Sequence, residues 1–229
     1  VTAEGTIADL NPAVASGRPA LDGTVAGTVA VTATIRELSA GVTPERLDAS
    51  VRLSLEPSTV GGLAIERAML DADYHDNAGE VRQLDVAGRD LNVNASGTLA
   101  LNDTGESNLV VHADSPSLAE LGALFEVPLE GIARVDARVT GNRRNLRAAG
   151  TLVGNGLEYQ GNGALVVNTD YDVSVPDLAV DRATVTAETS ATFVTVGGQN
   201  INRLDARTTY EQKTLTFDAT ATQPERSLS

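Results

Sequence analysis

Residues 163–210 read GALVVNTDYDVSVPDLAVDRATVTAETSATFVTVGGQNINRLDARTTY, and residues 27–74 align with them without a gap at a shift of 136 residues. The shift pairs Thr59-Val60-Gly61-Gly62 with Thr195-Val196-Gly197-Gly198. Apolar positions keep the same alternation in both copies. A long period that preserves strand alternation predicts a repeated unit of several strands. We therefore expect a stack of repeats rather than a globule built around one site.

The apolar residues are mostly small and aliphatic. They make up 41% of the chain, but there are only three Phe, four Tyr, one Met and no Trp. Val, Ile and Thr favour strands, and long runs of good helix formers are scarce. The composition predicts a mostly β fold with a wide, smooth aliphatic surface.

Charge and cysteine content exclude several functional classes. The chain has 17 Lys and Arg against 31 Asp and Glu, for a formal net charge of -14. Nucleic-acid binding needs clustered basic residues, so we expect no nucleic-acid partner. The absence of cysteine excludes disulfides, thiol catalysis and cysteine-based zinc sites. This is compatible with an oxidising compartment.

No apolar run reaches the length of about 18 residues that a membrane-spanning helix needs, and no signal peptide is recognisable. The sequence begins with Val1 rather than with a methionine, and residues 223–229 do not resemble a final helix or strand. We expect the sequence to be a fragment of a longer chain.

Strands are predicted from strict alternation. In residues 47–55, Leu47, Val51 and Leu53 face one way while Asp48 and Arg52 face the other, so that one face is dry and one wet. Residues 1–22 read as a frayed entry. The other predicted strands are 23–35, 64–74, 81–87, 90–101, 107–113, 131–139, 146–153, 157–159 and those of the second copy, with turns at 76–79, 88–90 and 102–105.

About a dozen strands at about 4.8 Å spacing would form a sheet roughly 55 to 65 Å long. Strands of seven to nine residues would be roughly 25 to 30 Å long. A fatty-acyl chain is shorter than either dimension. A long curved antiparallel sheet of this size could hold lipid along its length.

Residues 115–127, SPSLAELGALFEV, differ from the rest. Ser115 is a candidate N-cap with Pro116 at the first helical position, and Leu118, Leu121 and Leu124-Phe125 have helical spacing. The pattern predicts one short helix near 115–126 that packs its apolar stripe on the dry sheet face, as a cap between repeats. The predicted organisation is a first β unit over 1–113, a cap and linker over 114–130, and a second β unit over 131–229, with 1–74 resembling 137–210.

Catalysis is poorly supported by the sequence. His75 and His112 are the only histidines, and no recognisable nucleophile motif accompanies them. We predict that the protein is not an enzyme, has no catalytic residues and takes no cofactor. Asp71, Asp73, His75 and Asp76 form the densest polar group, but the wet face of an amphipathic strand explains them better than a metal site.

Two further polar patterns have simple interpretations. Arg143-Arg144 and Arg147 could touch anionic headgroups or a partner, although a solvated loop is the better interpretation. The Gly-Asn-Gly patterns at 154–156 and 161–163 are interpreted as turns, because no Gly-Lys-Ser/Thr follows them.

The aliphatic faces carry the main functional signal. They either pair with another sheet in a closed core or line an open groove suited to acyl chains, and alternation alone cannot separate these two. The candidate groove residues share one strand parity. They are Val29, Val31, Leu47, Val51, Leu53, Leu70, Tyr74, Leu99, Leu101, Val135, Val139, Leu152, Leu165, Val167, Tyr171, Val173, Leu204, Tyr210, Leu215 and Phe217.

Several stretches resemble the repetitive portion of TamB/AsmA-like periplasmic bridge proteins, the family of the translocation and assembly module. They are TGNRRNLRAAGTLVGNGLEYQ at 140–160, YDVSVPDL at 171–178, ATFVTVGGQNINRLDARTTY at 191–210 and LTFDATATQPERSL at 215–228. Residues 97–101 and the predicted helix followed by residues 128–131 are similar to the same repeats.

The resemblance implies a taco-shaped β sheet with a hydrophobic groove, in a protein anchored in the inner membrane and reaching across the periplasm. It implies phospholipid movement towards the outer membrane, and outer-membrane protein assembly with an Omp85-type barrel that other regions would contact. We therefore expect a groove segment with phospholipid acyl chains as its ligand. The alternative is a structural or adhesive β-solenoid stalk filled by its own side chains, which rungs of roughly 20 residues would favour.

Overall fold

A computed structural model of the chain describes residues 2–36, 47–124 and 127–223, which are 74% strand with two short α helices. The strands are β1 (Thr2–Leu10), β2 (Gly23–Ile35), β3 (Leu47–Leu55), β4 (Ser58–Val60), β5 (Leu63–His75), β6 (Ala78–Gly88), β7 (Asn92–Ala100), β8 (Ser107–Ser115), β9 (Leu129–Asn142), β10 (Asn145–Tyr159), β11 (Asn162–Pro176), β12 (Thr184–Val196), β13 (Gln199–Glu211) and β14 (Thr214–Thr222). The helices are α1 (Pro12–Ser16) and α2 (Leu118–Leu124), and 3-10 turns occupy Pro19–Leu21 and Val180–Arg182. The mostly β prediction is confirmed.

All described strands belong to one antiparallel sheet. Each strand pairs with its neighbours in sequence, in the order β1-β2-β3-β5 and onward to β14, while β4 bridges β2 and β5. β8 and β9 pair over nine residue pairs, from Ser107↔Gly141 to Ser115↔Ala133, so the sheet passes without a break between the two predicted β units. The division of the chain into those units stays a prediction.

Tight turns join most of the strands. Gly61 and Gly62 have φ of 59° and 87° between β4 and β5, and Gly197 and Gly198 have φ of 55° and 76° between β12 and β13. Positive φ at both central residues is the geometry of the two-residue hairpin turn that suits the right-handed twist of paired strands. The Gly-Gly pair of the sequence repeat therefore forms the same kind of turn in both copies.

The sequence repeat is also a repeat of strand register. Tyr74 pairs with Gly79 and with Ala49, and the residues 136 positions later pair identically, since Tyr210 pairs with Leu215 and with Val185. Three consecutive strands therefore recur, namely β3 with β4, β5 and β6, then β12, β13 and β14. In the first copy Pro57 separates β3 from β4, whereas in the second copy the strand continues through Phe193 at φ 50°.

Helix α2 lies at one end of the strands. It contacts β9, and Leu118 and Gly122 are buried. A Cβ on Gly61 would lie 2.2 Å from Leu124 Cδ1, which places the end of the helix directly on the β4–β5 turn.

The helix position agrees with prediction, but its predicted start is wrong. Ser115 is the last residue of β8, and its hydroxyl donates to the carbonyls of Asp90 and Ser117 at 2.8 Å instead of capping α2. The helix begins at Leu118 rather than Pro116. Phe125, which was predicted to extend the apolar stripe, lies outside the described residues.

Two other local predictions are wrong. The predicted frayed entry over 1–22 is wrong for the described residues 2–22, because β1 pairs with β2 from Thr2↔Thr32 onward and α1 follows with the Asn11 side chain accepting from the Ala13 N–H. Residues 154–156 are not a turn. Gly156 has φ 58° at a bulge inside β10, so Leu157–Tyr159 continues that strand.

The sheet has no conventional core. Among the described residues, no large side chain is less than 2% exposed. The chain exposes 14078 Å², whereas a compact monomer of 23.7 kDa would expose about 9,800 Å². No helix in the described ranges is long and apolar enough to cross a membrane. The described residues form a single-layered sheet, with the short helix α2 at one end of its strands.

Candidate functional site

The strand register places aliphatic residues in unbroken rows across the sheet. One row contains Gly5, Val29, Leu53, Leu70, Leu84, Ala95, Val111, Ala137, Gly150, Tyr171, Ala187, Thr208 and Phe217, each opposite the next. Directly opposed residues share a face, as do residues two apart in a strand. The parallel row two residues away runs from Ala3 through Val51, Leu109 and Val173 to Leu215. We call the side that carries these rows the apolar face.

All the predicted groove residues fall on this parity. Nineteen of them lie within strands, and Leu101 follows β7, where its N–H donates to the Asn77 carbonyl at 2.7 Å. Val135 and Leu152 face each other, and Val167 reaches Leu204 through Ala191. The structure thus brings the predicted set together on one side of one sheet. Their role in holding lipid stays a prediction.

Charge is completely segregated between the two faces along these rows. Neither apolar row contains Asp, Glu, Lys, Arg or His. By contrast, the row of paired residues that crosses β3 between Leu53 and Leu55 contains Asp85, His112 and Asp136. This row lies on the opposite side of the sheet, which we call the polar face. The sheet is amphipathic along its full length.

The apolar face is uncovered within the described residues, since no second sheet lies against it. Its central side chains are nevertheless only partly exposed. In β9, the alternate apolar residues from Ala133 to Val139 are less exposed than the charged residues that lie between them, Arg134, Asp136 and Arg138. Neighbouring aliphatic side chains shield one another in this way on the inner side of a curved sheet. β7 and β9 also approach within 8 Å although β8 lies between them, whereas two strand spacings normally measure about 9.6 Å.

At the β14 end the shielding disappears. Leu215 is 62% exposed and Phe217 is 75% exposed, and Leu165 is 54% exposed in β11. Twelve strand spacings give a face roughly 58 Å long, and its strands of nine residues or more are at least about 30 Å long. Soluble monomers rarely expose apolar patches above a few hundred Å². Within the described residues, this face is therefore the candidate functional surface.

The polar face is held by ion pairs between neighbouring strands. Arg82 donates to Asp71 at 2.8 Å and also contacts Asp73, while Arg52 reaches Asp71 at 3.3 Å. Arg36 donates to Asp76 at 3.2 Å, so three guanidinium groups engage the carboxylates that raised the question of a metal site. His75 lies 3.4 Å from Asp48. Within the described ranges no cluster of three metal-ligating side chains is found.

Arg143 and Arg144 are engaged at the turn between β9 and β10. Arg143 Nε donates to Asp103 at 2.6 Å, and Arg144 lies 3.4 Å from the same carboxylate. The Arg143 hydrogen bond is the main cause that lowers the pKa of Asp103 below its usual value. Arg147 lies within β10 rather than in a loop, and its Nε donates to Asp172 at 2.6 Å. These arginines join strands.

Tyr171 is the most central aromatic residue of the apolar face. It lies opposite Gly150 of β10, and its hydroxyl reaches past that strand to donate to the Asp136 carbonyl of β9 at 3.1 Å. Burial raises its pKa, and the Asp136 carboxylate adds to the effect. A Cβ on Gly150 would lie 1.8 Å from the Asp136 carbonyl oxygen, so the glycine is required where the strands approach closely.

The sequence interpretation missed several members of the apolar face. Leu109 and Val111 alternate in β8 and could have been found by parity alone. Leu84 and Val86 could not be assigned to this face from alternation. The pairing of β6 with β7 shifts between Val81 and Leu84, so the residues after the shift that lie on the apolar face have even numbers instead of odd ones. A bulge of this kind leaves no clear signal in the sequence.

No known protein family, curated protein or solved structure matches this chain. The resemblance to TamB/AsmA-like proteins therefore depends on the strand patterns quoted above.

Proposed function

We propose that this chain is a groove segment of a bridge-like protein that conducts phospholipid. The observation that supports this most directly is the continuous apolar face, which crosses thirteen strands without a charged side chain in its central rows. Aliphatic lining with few polar anchors suits acyl chains rather than a polar ligand.

The geometry fits a passive mode of binding. Acyl chains would lie against Val, Leu, Ile and Ala side chains, while headgroups stay in water beside the sheet margin. The face would hold lipids by burial of apolar area at about 25 cal/mol per Å² rather than by specific recognition of polar groups. Weak discrimination along the face would allow lipids to slide.

By its resemblance to TamB/AsmA-like proteins, we propose that the segment works in the periplasm, within a protein anchored in the inner membrane. There it would serve phospholipid movement to the outer membrane and outer-membrane biogenesis. An Omp85-type barrel would be a partner of other regions. The alternative of a β-solenoid stalk is not favoured, because the described strands form an antiparallel meander and not parallel rungs.

Native mass spectrometry of the purified chain, followed by lipid extraction, tests the proposal. We expect phospholipid to co-purify with the wild-type chain and with Ser54→Asp, which changes the polar face. Leu53→Asp, on the adjacent residue of the same strand, places a carboxylate in the central apolar row and should abolish co-purification.

A second matched pair of variants, in another strand, controls for the possibility that Leu53→Asp loses lipid because β3 misfolds. Val166 and Val167 are adjacent residues of β11 on opposite faces, with Thr192 and Ala191 as their partners. Val167→Asp should lose lipid and Val166→Asp should retain it, with circular dichroism showing the same strand content. Lipid-free wild-type protein, or equal lipid in both members of a pair, would remove the support for conduction.

A further inference from the structure

Hydroxyl side chains in the central part of the apolar face are confined to three neighbouring strands. Beside the two apolar rows runs a third, from Leu55 through Val93 and Leu152 to Ala219. From β1 to β10 the three rows contain only Gly, Ala, Val and Leu. In β11, β12 and β13 they contain the hydroxyl groups of Thr169, Tyr171, Thr189, Thr208 and Tyr210.

The three threonines lie next to one another, and we call them the threonine cluster. Thr169 and Thr189 are directly opposed across β11 and β12, and their hydroxyl oxygens are 2.9 Å apart. Thr208 is diagonal to Thr189, because Thr189 pairs with Ala206, two residues earlier in β13. Diagonal neighbours are about 7 to 8 Å apart. All three side chains are half-buried, so a ligand on the apolar face can reach them.

The threonine cluster has hydrogen-bond donors that the described residues do not use. Thr169 and Thr189 together have two hydroxyl hydrogens, and the hydrogen bond between them uses one. The Thr208 hydroxyl makes no hydrogen bond within the described ranges. Donors without a charge suit a neutral acceptor, whereas phosphate is typically bound by arginine or lysine side chains. The cluster is therefore suited to a carbonyl group rather than to a charged headgroup.

The internal repeat indicates that the fold does not need these hydroxyls. In the first copy, Leu53 occupies the position of Thr189, and Ala72 that of Thr208. The strands pair in the same register in both copies. Aliphatic side chains are thus accepted at both positions, and threonine stands there only in the second copy. A hydroxyl covered by an acyl chain without a hydrogen bond is unfavourable, so a ligand here should supply an acceptor.

We propose that the threonine cluster binds the ester carbonyl groups of a phospholipid whose acyl chains lie along the aliphatic rows. The two esters of a diacyl lipid are attached to adjacent carbons. The unused hydrogen of the Thr169 and Thr189 pair can serve one ester, and the Thr208 hydroxyl can serve the other. The acyl chains would then extend towards β10 and the strands before it, where the rows have no hydroxyl.

This inference rests on the proposed function and adds a resting position to it. Over β1 to β10 the three rows offer only apolar contact, so that a lipid can slide. At β11 to β13 the hydroxyls add hydrogen bonds that hold the glycerol end of the lipid. The cluster would thereby distinguish lipids by the chemistry that joins their chains to the glycerol.

Two lipids that differ only in the ester carbonyls provide the test. Dipalmitoyl phosphatidylcholine has two ester carbonyls, whereas its ether analogue, dihexadecyl phosphatidylcholine, has none and keeps the headgroup and the chain length. Native mass spectrometry of the purified chain with equal amounts of both lipids measures the preference. We expect the wild-type chain to bind the ester lipid at least about fivefold more than the ether lipid.

Three variants assign the preference to the cluster. The variant Thr169→Val/Thr189→Val/Thr208→Val replaces each hydroxyl with a methyl group of similar size and keeps the β-branched shape, so it should bind both lipids equally. Serine at the same three positions keeps the hydroxyls and should keep the preference. The matched control carries valine at three threonines on the polar face of β12 and β13, and it should also keep the preference. Its substitutions are Thr186→Val, Thr192→Val and Thr209→Val.

The outcomes separate this inference from the proposed function. Equal binding of the two lipids by the wild-type chain would overturn the role of the cluster and leave lipid binding intact, and this comparison does not depend on the folding of any variant. A preference that persists in the triple valine variant of the cluster would also overturn it, because another group would then recognise the ester. Binding of neither lipid would overturn both proposals.

Discussion

Val110 and Val111 are adjacent, chemically identical residues of β8 on opposite faces of the sheet, and they provide the sharpest test of the face assignment. Val111 lies between Ala95 and Ala137 in a central apolar row. Val110 is 43% exposed and lies between Ser96 and Arg138 on the polar face. The perturbation is Val111→Asp, with Val110→Asp as its matched control.

The expected magnitudes follow from these neighbours. Val111→Asp loses most of the burial of a valine side chain, about 1 to 2 kcal/mol, and leaves a carboxylate among apolar groups at a further cost of about 1 to 2 kcal/mol. The total is about 2 to 4 kcal/mol. Val110→Asp loses little burial and gains a cross-strand charge pair with Arg138, so we expect a change within about 0.5 kcal/mol.

Equilibrium urea unfolding followed by circular dichroism measures the difference. With a denaturant dependence of about 3 kcal/mol/M, Val111→Asp should lower the midpoint by about 1 M, and Val110→Asp should leave it nearly unchanged. Equal losses in the two variants, or a larger loss for Val110→Asp, would refute the assignment of an apolar and a polar face.

Three further predictions test individual contacts. Asp103→Asn should lower the melting temperature at neutral pH. The pKa of Asp103 is lowered in the folded chain, so the carboxylate stabilises the fold above the usual carboxyl pKa, and this stabilisation is lost as the pH falls through the lowered pKa. The difference in melting temperature between the variant and the wild type should therefore disappear in acid. Persistence of this difference in acid would contradict the Arg143 contact. Gly197→Ala should cost only the left-handed strain of about 1 kcal/mol, whereas Gly61→Ala, at the equivalent turn, should cost more, because its Cβ would meet Leu124 and the Ala20 carbonyl; equal unfolding free energies would place α2 elsewhere. In an alkaline titration followed by phenolate absorbance, Tyr171→Phe should remove a component that titrates above the usual tyrosine pKa, and an unchanged titration curve would contradict its burial.

Much of the fold is determined by short-range pattern. The predicted strands 23–35 and 47–55 have the observed bounds, and the turn predicted at 76–79 is present, although it is only the two residues Asp76-Asn77 long. Strict alternation is enough here because each strand has one charged side and one aliphatic side. The parity of the candidate face was therefore predictable in strands without a bulge, but not beyond the register shift between Val81 and Leu84.

Features that depend on distant partners were not predictable. The hydroxyl of Ser115 looks like a helix cap in the sequence but donates to Asp90, a carbonyl that only folding brings near. Gly154 and Leu157 lie together at a bulge where a Cβ on the glycine would be 2.5 Å from the leucine side chain, whereas the sequence reads as a turn. Alternation also could not tell whether a second layer covers the dry face. In the described residues none does.

The meander connectivity has a consequence for how the chain reaches its final state. Apart from β4, which bridges β2 and β5, each strand is hydrogen-bonded to its neighbours in the chain order, so pairing needs only segments that are already close along the chain. Stability in such an array is approximately a sum of nearest-neighbour terms, and ordering can spread from any point. A chain that emerges unfolded from one end could therefore form its sheet progressively, strand by strand, before its other end has emerged.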